Sequence, residues 1–261
     1  MSLLKKVKLL PPNELNRIDV AILCGGLGKR LRGEIGESQK VMAKMGQEPF
    51  LDILLKDLIN QGFKRFILLT GYKAEAVEEY YRTKNFGAPI EFSREKEPLG
   101  TGGALKNAKA LIQSDPFVCM NGDSFCSLEY KKFLDFYVSK KTAVAIALSK
   151  VKDNRDFGTI TLDDSKRIIS FQEKVKTSAI AGQPTNFKKK AFYVNAGSYY
   201  FSKDIFKFMP DAKKFSLESD FFPQLVKENF FGFVTKQIFF DIGTPERLKE
   251  AQTILRKKER I

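Results

Sequence analysis

Ile18-Asp19-Val20-Ala21-Ile22-Leu23-Cys24-Gly25-Gly26-Leu27-Gly28-Lys29-Arg30-Leu31 decides the fold. Its first seven residues form a short, nearly continuous apolar run, the pattern of a strand buried on both faces, and the run ends in a glycine loop. A parallel sheet follows from that pairing. The loop matches neither of two common phosphate loops: a dinucleotide fingerprint needs a third glycine where Leu31 stands, and a Walker loop needs Gly and Ser or Thr where the chain has Leu23 and Arg30. The physical content survives the mismatch. Consecutive glycines let backbone N–H groups approach phosphate oxygens, and Arg30 adds a charge-assisted fork.

Working outward, Pro49 opens a helix over 50–60, Gly62 stops it, and a strand follows at 64–70, completing one βαβ unit. The alternation continues with a helix at 74–82, a strand at 90–93, a helix from about 101 to 113, a strand at 117–120, a helix at 128–139 and a strand at 143–148. This predicts an α/β fold, a doubly wound, mostly parallel Rossmann-like sheet with helices on both faces. Beyond residue 150 the texture changes. Two β-like runs between 156 and 171 flank the turn Asp163-Asp164-Ser165, and 191–201 is another strand rich in Phe, Tyr and Val, so 151–201 reads as a small β-rich insertion. Helices near 203–208 and 217–228, a strand at 237–240 and a final helix from Pro245 to about Lys258, capped by Thr244, return the chain to the main sheet over 202–261. Residues 1–261 read as one domain.

Composition narrows the chemistry. The 261 residues carry 45 Lys+Arg against 31 Asp+Glu, a formal charge of +14, and no His or Trp. Without histidine there is no Ser-His or Cys-His pair, no His-based zinc site and no imidazole base. Catalysis must use carboxylates, Lys, Arg, backbone amides or a bound metal. The positive charge calls for an anionic partner. Its clusters at Lys5–Lys8, Lys188–Lys190 and Arg256–Arg260 are short, and no zinc-finger spacing or basic-aromatic pattern accompanies them, so nucleic acid is not the expected partner. Cys24, Cys119 and Cys126 are odd in number and lack ligand-like spacing, which fits a reduced, cytoplasmic setting. No stretch approaches the roughly 20 apolar residues of a membrane span. The first dozen residues, where Leu alternates with Lys before Pro11-Pro12, read as a loosely docked extension rather than a signal peptide.

Asp123 and Asp241 form a second constellation. Each closes an apolar strand, in Asn121-Gly122-Asp123 and Asp241-Ile242-Gly243. Carboxyl ends of strands line the ligand crevice of an open α/β sheet, so the two aspartates can meet around one hard cation. Magnesium takes one or two carboxylates and completes its shell with phosphate and water.

Taken in order, the glycine loop, Lys40 and Met42, Glu97-Pro98-Leu99-Gly100-Thr101-Gly102-Gly103-Ala104-Leu105, Asn121-Gly122-Asp123, Phe171-Gln172-Glu173-Lys174, Asn195-Ala196-Gly197 and Asp241-Ile242-Gly243-Thr244-Pro245-Glu246 closely resemble the sugar-phosphate nucleotidyltransferases over nearly residues 18–255. Within that family the chain looks most like the single-domain guanylyltransferases acting on heptose 1-phosphate or mannose 1-phosphate. The resemblance implies the nucleotide-diphospho-sugar transferase fold, with 18–150 as nucleotide-binding part and 151–201 as sugar-binding part. It implies that Cys24, Gly25, Gly26, Gly28 and Arg30 hold the triphosphate and that Lys40 contacts phosphate near the reacting centre. Gly100 and Thr101 would sit against the base, and Asp123 with Asp241 would hold Mg2+. In the sugar-phosphate subsite, to which Gly158 also belongs, Glu173 and Asn195 would bind sugar hydroxyls while Lys174 meets the sugar phosphate. Arg30, Lys40 and Asp123 are thus the catalytic candidates. Two departures stand out: Lys29 replaces a usual Thr, and Gln39-Lys40-Val41 replaces Pro-Lys-Pro, which predicts a looser loop around Lys40.

The implied reaction suits the composition. A sugar 1-phosphate oxygen attacks the nucleotide α-phosphorus and pyrophosphate leaves; the nucleophile is already anionic and needs no histidine. The resemblance places Glu95, five residues before Gly100, near the position from which relatives of this fold read the base edge, and a carboxylate there accepts from the adjacent N1–H and N2–H donors of guanine. GTP is therefore favoured. The alternatives are a uridylyl- or thymidylyltransferase acting on glucose 1-phosphate, and a regulatory module that binds nucleotide sugar without turnover. The expected partners are a nucleoside triphosphate and a sugar 1-phosphate, without nucleic acid or membrane, and a homo-oligomer is compatible with them. No repeat follows residue 255, so a fused acyltransferase is not expected.

Overall fold

The computed structural model describes residues 15–36, 38–151, 158–172 and 192–258. The elements begin with β1 (Asp19–Leu23), the single turn α1 (Arg32–Ile35), the small ladder of β2 (Lys44–Met45) and β3 (Glu48–Pro49), α2 (Phe50–Asn60), β4 (Arg65–Thr70), α3 (Ala74–Thr83) and β5 (Ile90–Arg94). Next come α4 (Gly100–Asn107), β6 (Phe117–Asn121), β7 (Ser124–Cys126), α5 (Tyr130–Lys140) and β8 (Val144–Val151). The chain closes with β9 (Thr159–Leu162), β10 (Ile168–Gln172), β11 (Phe192–Phe201), α6 (Phe222–Leu225), β12 (Phe230–Thr235), β13 (Phe239–Asp241) and α7 (Pro245–Lys258).

The nearly continuous apolar runs have a direct structural cause. In β1, Val20 and Ile22 face one core and Ala21 the other; β4 divides Phe66 and Leu68 from Ile67 and Leu69 in the same way. Both faces are therefore covered, by α2, α3 and α5 on one side and α4 and α6 on the other. β5, β4, β1 and β6 are parallel neighbours, so their carboxyl ends open along one edge. The sheet is mixed beyond them. β11 enters antiparallel to β6 on one side and to β8 on the other, and also meets β9 at Tyr193. The β9–β10 hairpin continues the same sheet.

Three local expectations are revised. The helix begun at 100 ends at Asn107 and tightens into a 3-10 turn at Ala108–Ala110. The segment expected to be one helix over 217–228 divides into a π-turn, Leu217–Phe221, and the short α6. β12, unforeseen, pairs parallel to β8; a Cβ on Gly232 would stand 2.4 Å from Leu148 Cδ1, so the glycine that interrupts the aromatic run is what lets the strand pack. No described helix is long and apolar enough to cross a membrane.

Candidate active site

The glycine loop leaves the end of β1 at the open sheet edge. The Cys24 N–H still bonds the Leu69 carbonyl at 2.9 Å, and the Gly25 carbonyl accepts from Tyr72 N at 3.3 Å, so the loop is fixed by β4 and the turn after it. A cavity of about 340 Å³ opens here, lined by Cys24, Gly25, Gly26, Glu95, Gly100 and Thr101 among others. The Cys24 thiol is buried and held protonated, its pKa raised by burial and by the Asp123 charge. Gly28 takes φ +56° and lies behind the loop against Lys40 rather than in the cavity lining. Lys29 is exposed.

Glu95 follows β5 directly and lies over Gly25 and Gly71. A Cβ would stand 2.8 Å from Glu95 Oε1 at position 25 and 2.4 Å at position 71, so both glycines make room for this carboxylate. Its Oε2 accepts from Leu99 N at 3.1 Å. Burial raises the Glu95 pKa, partly offset by that N–H. Behind it, buried Glu78 on α3 accepts from Thr70 Oγ1 at 2.8 Å and from Arg94 at 2.9 and 2.8 Å, tying the ends of β4 and β5 together.

The Gly100–Gly103 stretch serves the chain as much as the cavity. Gly100 takes φ +74°, and a Cβ there would meet the Phe215 carbonyl oxygen at 2.5 Å. That carbonyl accepts the Gly102 and Gly103 N–H groups at 3.0 and 3.2 Å, while Phe215 N donates back to Leu99 O at 3.0 Å. Two of the first amides of α4, those of Gly102 and Gly103, are thus satisfied by protein. Thr101 uses its hydroxyl internally too, donating to Glu218 Oε2 at 2.6 Å.

A second cavity of about 670 Å³ lies along the strand ends and is lined by Arg30, Gly158, Asn195, Glu218, Asp241 and Arg247, among others. Lys40, Thr101, Asn121 and Asp123 line both cavities. Lys40 Nζ bonds Asp123 Oδ2 at 2.5 Å. Burial would raise the Asp123 pKa, but the Lys40 charge and the Lys40 and Ser124 hydrogen bonds bring it below the usual carboxylate value. The expected looseness around Lys40 is corrected by Gln39. Its buried side chain accepts from Lys40 N at 2.8 Å and donates to the Tyr72 carbonyl at 2.8 Å, so hydrogen bonds hold the turn that proline rings would otherwise fix.

Asp241 faces Ser124 across the β7–β13 ladder, and Ile242 N donates to the Asp123 carbonyl at 2.9 Å, which brings the two aspartates together as expected. Asp241 Oδ1 accepts from Gly243 N at 2.7 Å and Oδ2 from Arg247 at 2.8 Å. Asp123 and Asp241 are thus two hard carboxylates at one site, each paired with a cation of the chain, Lys40 and Arg247, and among the described residues there is no group of three or more ligating side chains. Glu173 and Lys174 lie outside the described residues. Asn121, Glu218 and Arg247 were not singled out as site residues from the sequence. Asn121 Oδ1 is buried without a hydrogen-bond partner among the described residues, beside Gly197.

Comparison with known proteins gives the arrangement its context. The Nucleotidyl transferase family model matches residues 20–258. A D-glycero-alpha-D-manno-heptose 1-phosphate guanylyltransferase of Aneurinibacillus thermoaerophilus is 36% identical over 236 residues, covering 90% of this chain and 97% of that protein. One from Campylobacter jejuni is 37% identical over 225 residues, covering 86% and 94%. The crystal structure of HddC from Yersinia pseudotuberculosis complexed with GMP-PN superposes with a TM-score of 0.76 at 36% identity, over 91% of this chain and 99% of that one. With two cavities that meet at Lys40 and Asp123 and a family match along nearly the whole chain, the protein belongs to the sugar-1-phosphate nucleotidyltransferases.

Proposed function

We propose that this chain transfers GMP from GTP to a sugar 1-phosphate of heptose or mannose type, releasing pyrophosphate. The observation that carries the reading is the shared wall: the glycine-loop cavity and the strand-end cavity have Lys40, Thr101, Asn121 and Asp123 in common, so two bound substrates would meet there. In this assignment the glycine-loop cavity, built by 18–150, takes the nucleotide. The cavity reached by 151–201 takes the acceptor, and 202–261 contributes Asp241.

Glu95 is the proposed base reader. Room cleared by Gly25 and Gly71 presents its carboxylate to the cavity, where guanine offers two adjacent donors and uracil or thymine one N3–H between carbonyls. A carboxylate whose burial already disfavours its charge gains most from two such donors.

The chemistry is alignment and neutralisation. Arg30, beside Gly243 and in the strand-end cavity, is placed to hold phosphate oxygens, and Lys40 faces the junction where the α-phosphorus would sit. Asp123 orients the Lys40 ammonium through their ion pair. Asp123 and Asp241 would hold Mg2+, which when bound would supply neutralisation of the phosphate charge. Asn195 and Gly158 face the acceptor. The buried, unpaired thiols suit a cytoplasmic enzyme.

The test is a matrix of four nucleoside triphosphates against a panel of sugar 1-phosphates, read by pyrophosphate release with magnesium. GTP with a heptose or mannose 1-phosphate is expected to be fastest. Equal rates with GTP and UTP would remove the guanine assignment, and binding of a nucleotide sugar without pyrophosphate release from any pair would favour the regulatory module.

A further inference from the structure

Polar groups between the two cavities converge on Glu218. It lies on the π-turn Leu217–Phe221, a helix type that recurs at functional sites, and it lines the strand-end cavity. Its Oε2 accepts from Thr101 Oγ1 at 2.6 Å and Ser216 Oγ at 2.8 Å, and its Oε1 from the Tyr199 hydroxyl at 3.4 Å. The accepting side of each hydroxyl is also engaged. Thr101 Oγ1 accepts from Leu217 N at 2.8 Å, Ser216 Oγ from Glu218 N and Ser219 N at 3.1 and 3.2 Å, and the Tyr199 oxygen from Asn195 Nδ2 at 2.8 Å. Asn195 Oδ1 in turn accepts from Gly197 N at 2.8 Å.

A hydroxyl has one proton to give, and an ionised carboxylate only accepts. Glu218 therefore sets the direction of every bond in a chain that runs from Thr101, at the nucleotide side, to Asn195, at the acceptor side. The Thr101 end is rigidly tied to the π-turn, because the Gly102 and Gly103 amides bond the Phe215 carbonyl one residue before Ser216. The 3.4 Å link to Tyr199 is the longest in the chain, so a small movement of the turn alters it most.

We propose that Glu218 is a positioning residue that couples the two subsites, fixing the Thr101 hydroxyl on one side and, through Tyr199, the Asn195 amide on the other, so that a bound nucleotide strengthens acceptor binding. The proposal rests on the nucleotidyltransferase reading above. Glu218→Gln places an amide NH2 where Oε1 accepts and reverses the Tyr199 link. Tyr199→Phe removes the hydroxyl, and with it both this link and the bond from Asn195 Nδ2, and keeps the ring that packs on Phe222 at 5.0 Å.

The experiment is calorimetric titration of the sugar 1-phosphate turned over fastest in the matrix assay, with and without saturating α,β-methylene GTP, with magnesium throughout. In the native protein the analogue is expected to tighten the acceptor by about fivefold or more, the lower end of ordinary coupling. In Glu218→Gln and Tyr199→Phe that ratio should fall to about one, while the nucleotide analogue alone binds within about threefold of native. A native ratio of one overturns the proposal. So does a native-sized ratio in both variants, or an equal weakening of binary and ternary complexes, which marks a structural role. If no sugar 1-phosphate supports pyrophosphate release by the native protein, the acceptor reading itself fails and the coupling falls with it.

Discussion

Gly71→Ala tests base recognition from behind, without touching a substrate. Gly71 has no left-handed φ, so alanine is unstrained there, and the three atoms nearest the added Cβ would all belong to Glu95: Oε1 at 2.4 Å, Cγ at 2.8 Å and Cδ at 3.0 Å. Ordinary contact begins at 3.4 Å, so Oε1 must retreat by about 1 Å. A shift of that size breaks the 3.1 Å bond to Leu99 N and moves the carboxylate off the plane of a base positioned by the native side chain. Losing a charge-assisted pair costs about 1–3 kcal/mol of discrimination, roughly 5- to 150-fold. The assay is the ratio of kcat/KM for GTP over UTP at saturating acceptor, followed by pyrophosphate release. The ratio is expected to fall within that range while kcat/KM for UTP stays within about threefold of native. Glu95→Gln should reproduce the drop. An unchanged ratio in both variants, with Tm near native, would refute Glu95 as the base reader.

Asp123→Asn and Asp241→Asn should each keep the fold and lower turnover by orders of magnitude, and magnesium titration of each variant should need far higher concentrations; near-normal rates in both would remove the ligand assignment. Lys40→Ala is expected to lower kcat more than it raises KM for the nucleotide, since its interaction is assigned to the transition state. Glu78→Gln is expected to cost about 1–3 kcal/mol at neutral pH. The Arg94 hydrogen bonds, opposed by burial, hold Glu78 below its ordinary value of 4.5. Its contribution is therefore complete above that value and lost as pH falls through the folded one. Denaturation curves of native and variant protein should converge in acid, and a gap that persists there would show that the carboxylate charge is not the cause.

Strands buried on both faces were legible because period-two burial on two sides leaves no polar position to interrupt the run, as in Val20–Ile22 and Phe66–Leu69. The pairing of Asp123 with Asp241 was legible for a related reason: strand ends in an open sheet collect at one edge. β12 was not, because its aromatic run is broken by Gly232, whose meaning depends on Leu148 in a strand more than eighty residues earlier. Glu218 and Arg247 sit in segments that read as charged helix starts, and only long-range pairing turns them toward the cavity. Gln39 was visible as a missing proline, but its replacement contact is the Tyr72 carbonyl, which no local pattern predicts. Gly102 and Gly103 were marked by the family motif, yet the physical need for them is long-range: a Cβ on Gly102 would stand 2.1 Å from the Phe215 ring, and one on Gly103 2.5 Å from the Lys213 carbonyl oxygen.

β11 is one unbroken strand whose pairing register shifts at Asn195–Tyr199, where Gly197 takes φ +72° and lies against Asn121. Its inner half belongs to the ladder with β6, and its outer half carries Asn195 to the strand-end cavity. With a shared backbone in place of a hinge, the distance from the reaction centre to Asn195 is inherited from the core. The exposed Gln172, paired with Thr159 within the outer hairpin, lines the same cavity without that constraint. Under the acceptor assignment proposed above, mutational drift there would sample new acceptors against an unchanged reaction geometry, and sugar choice would evolve separately from the chemistry.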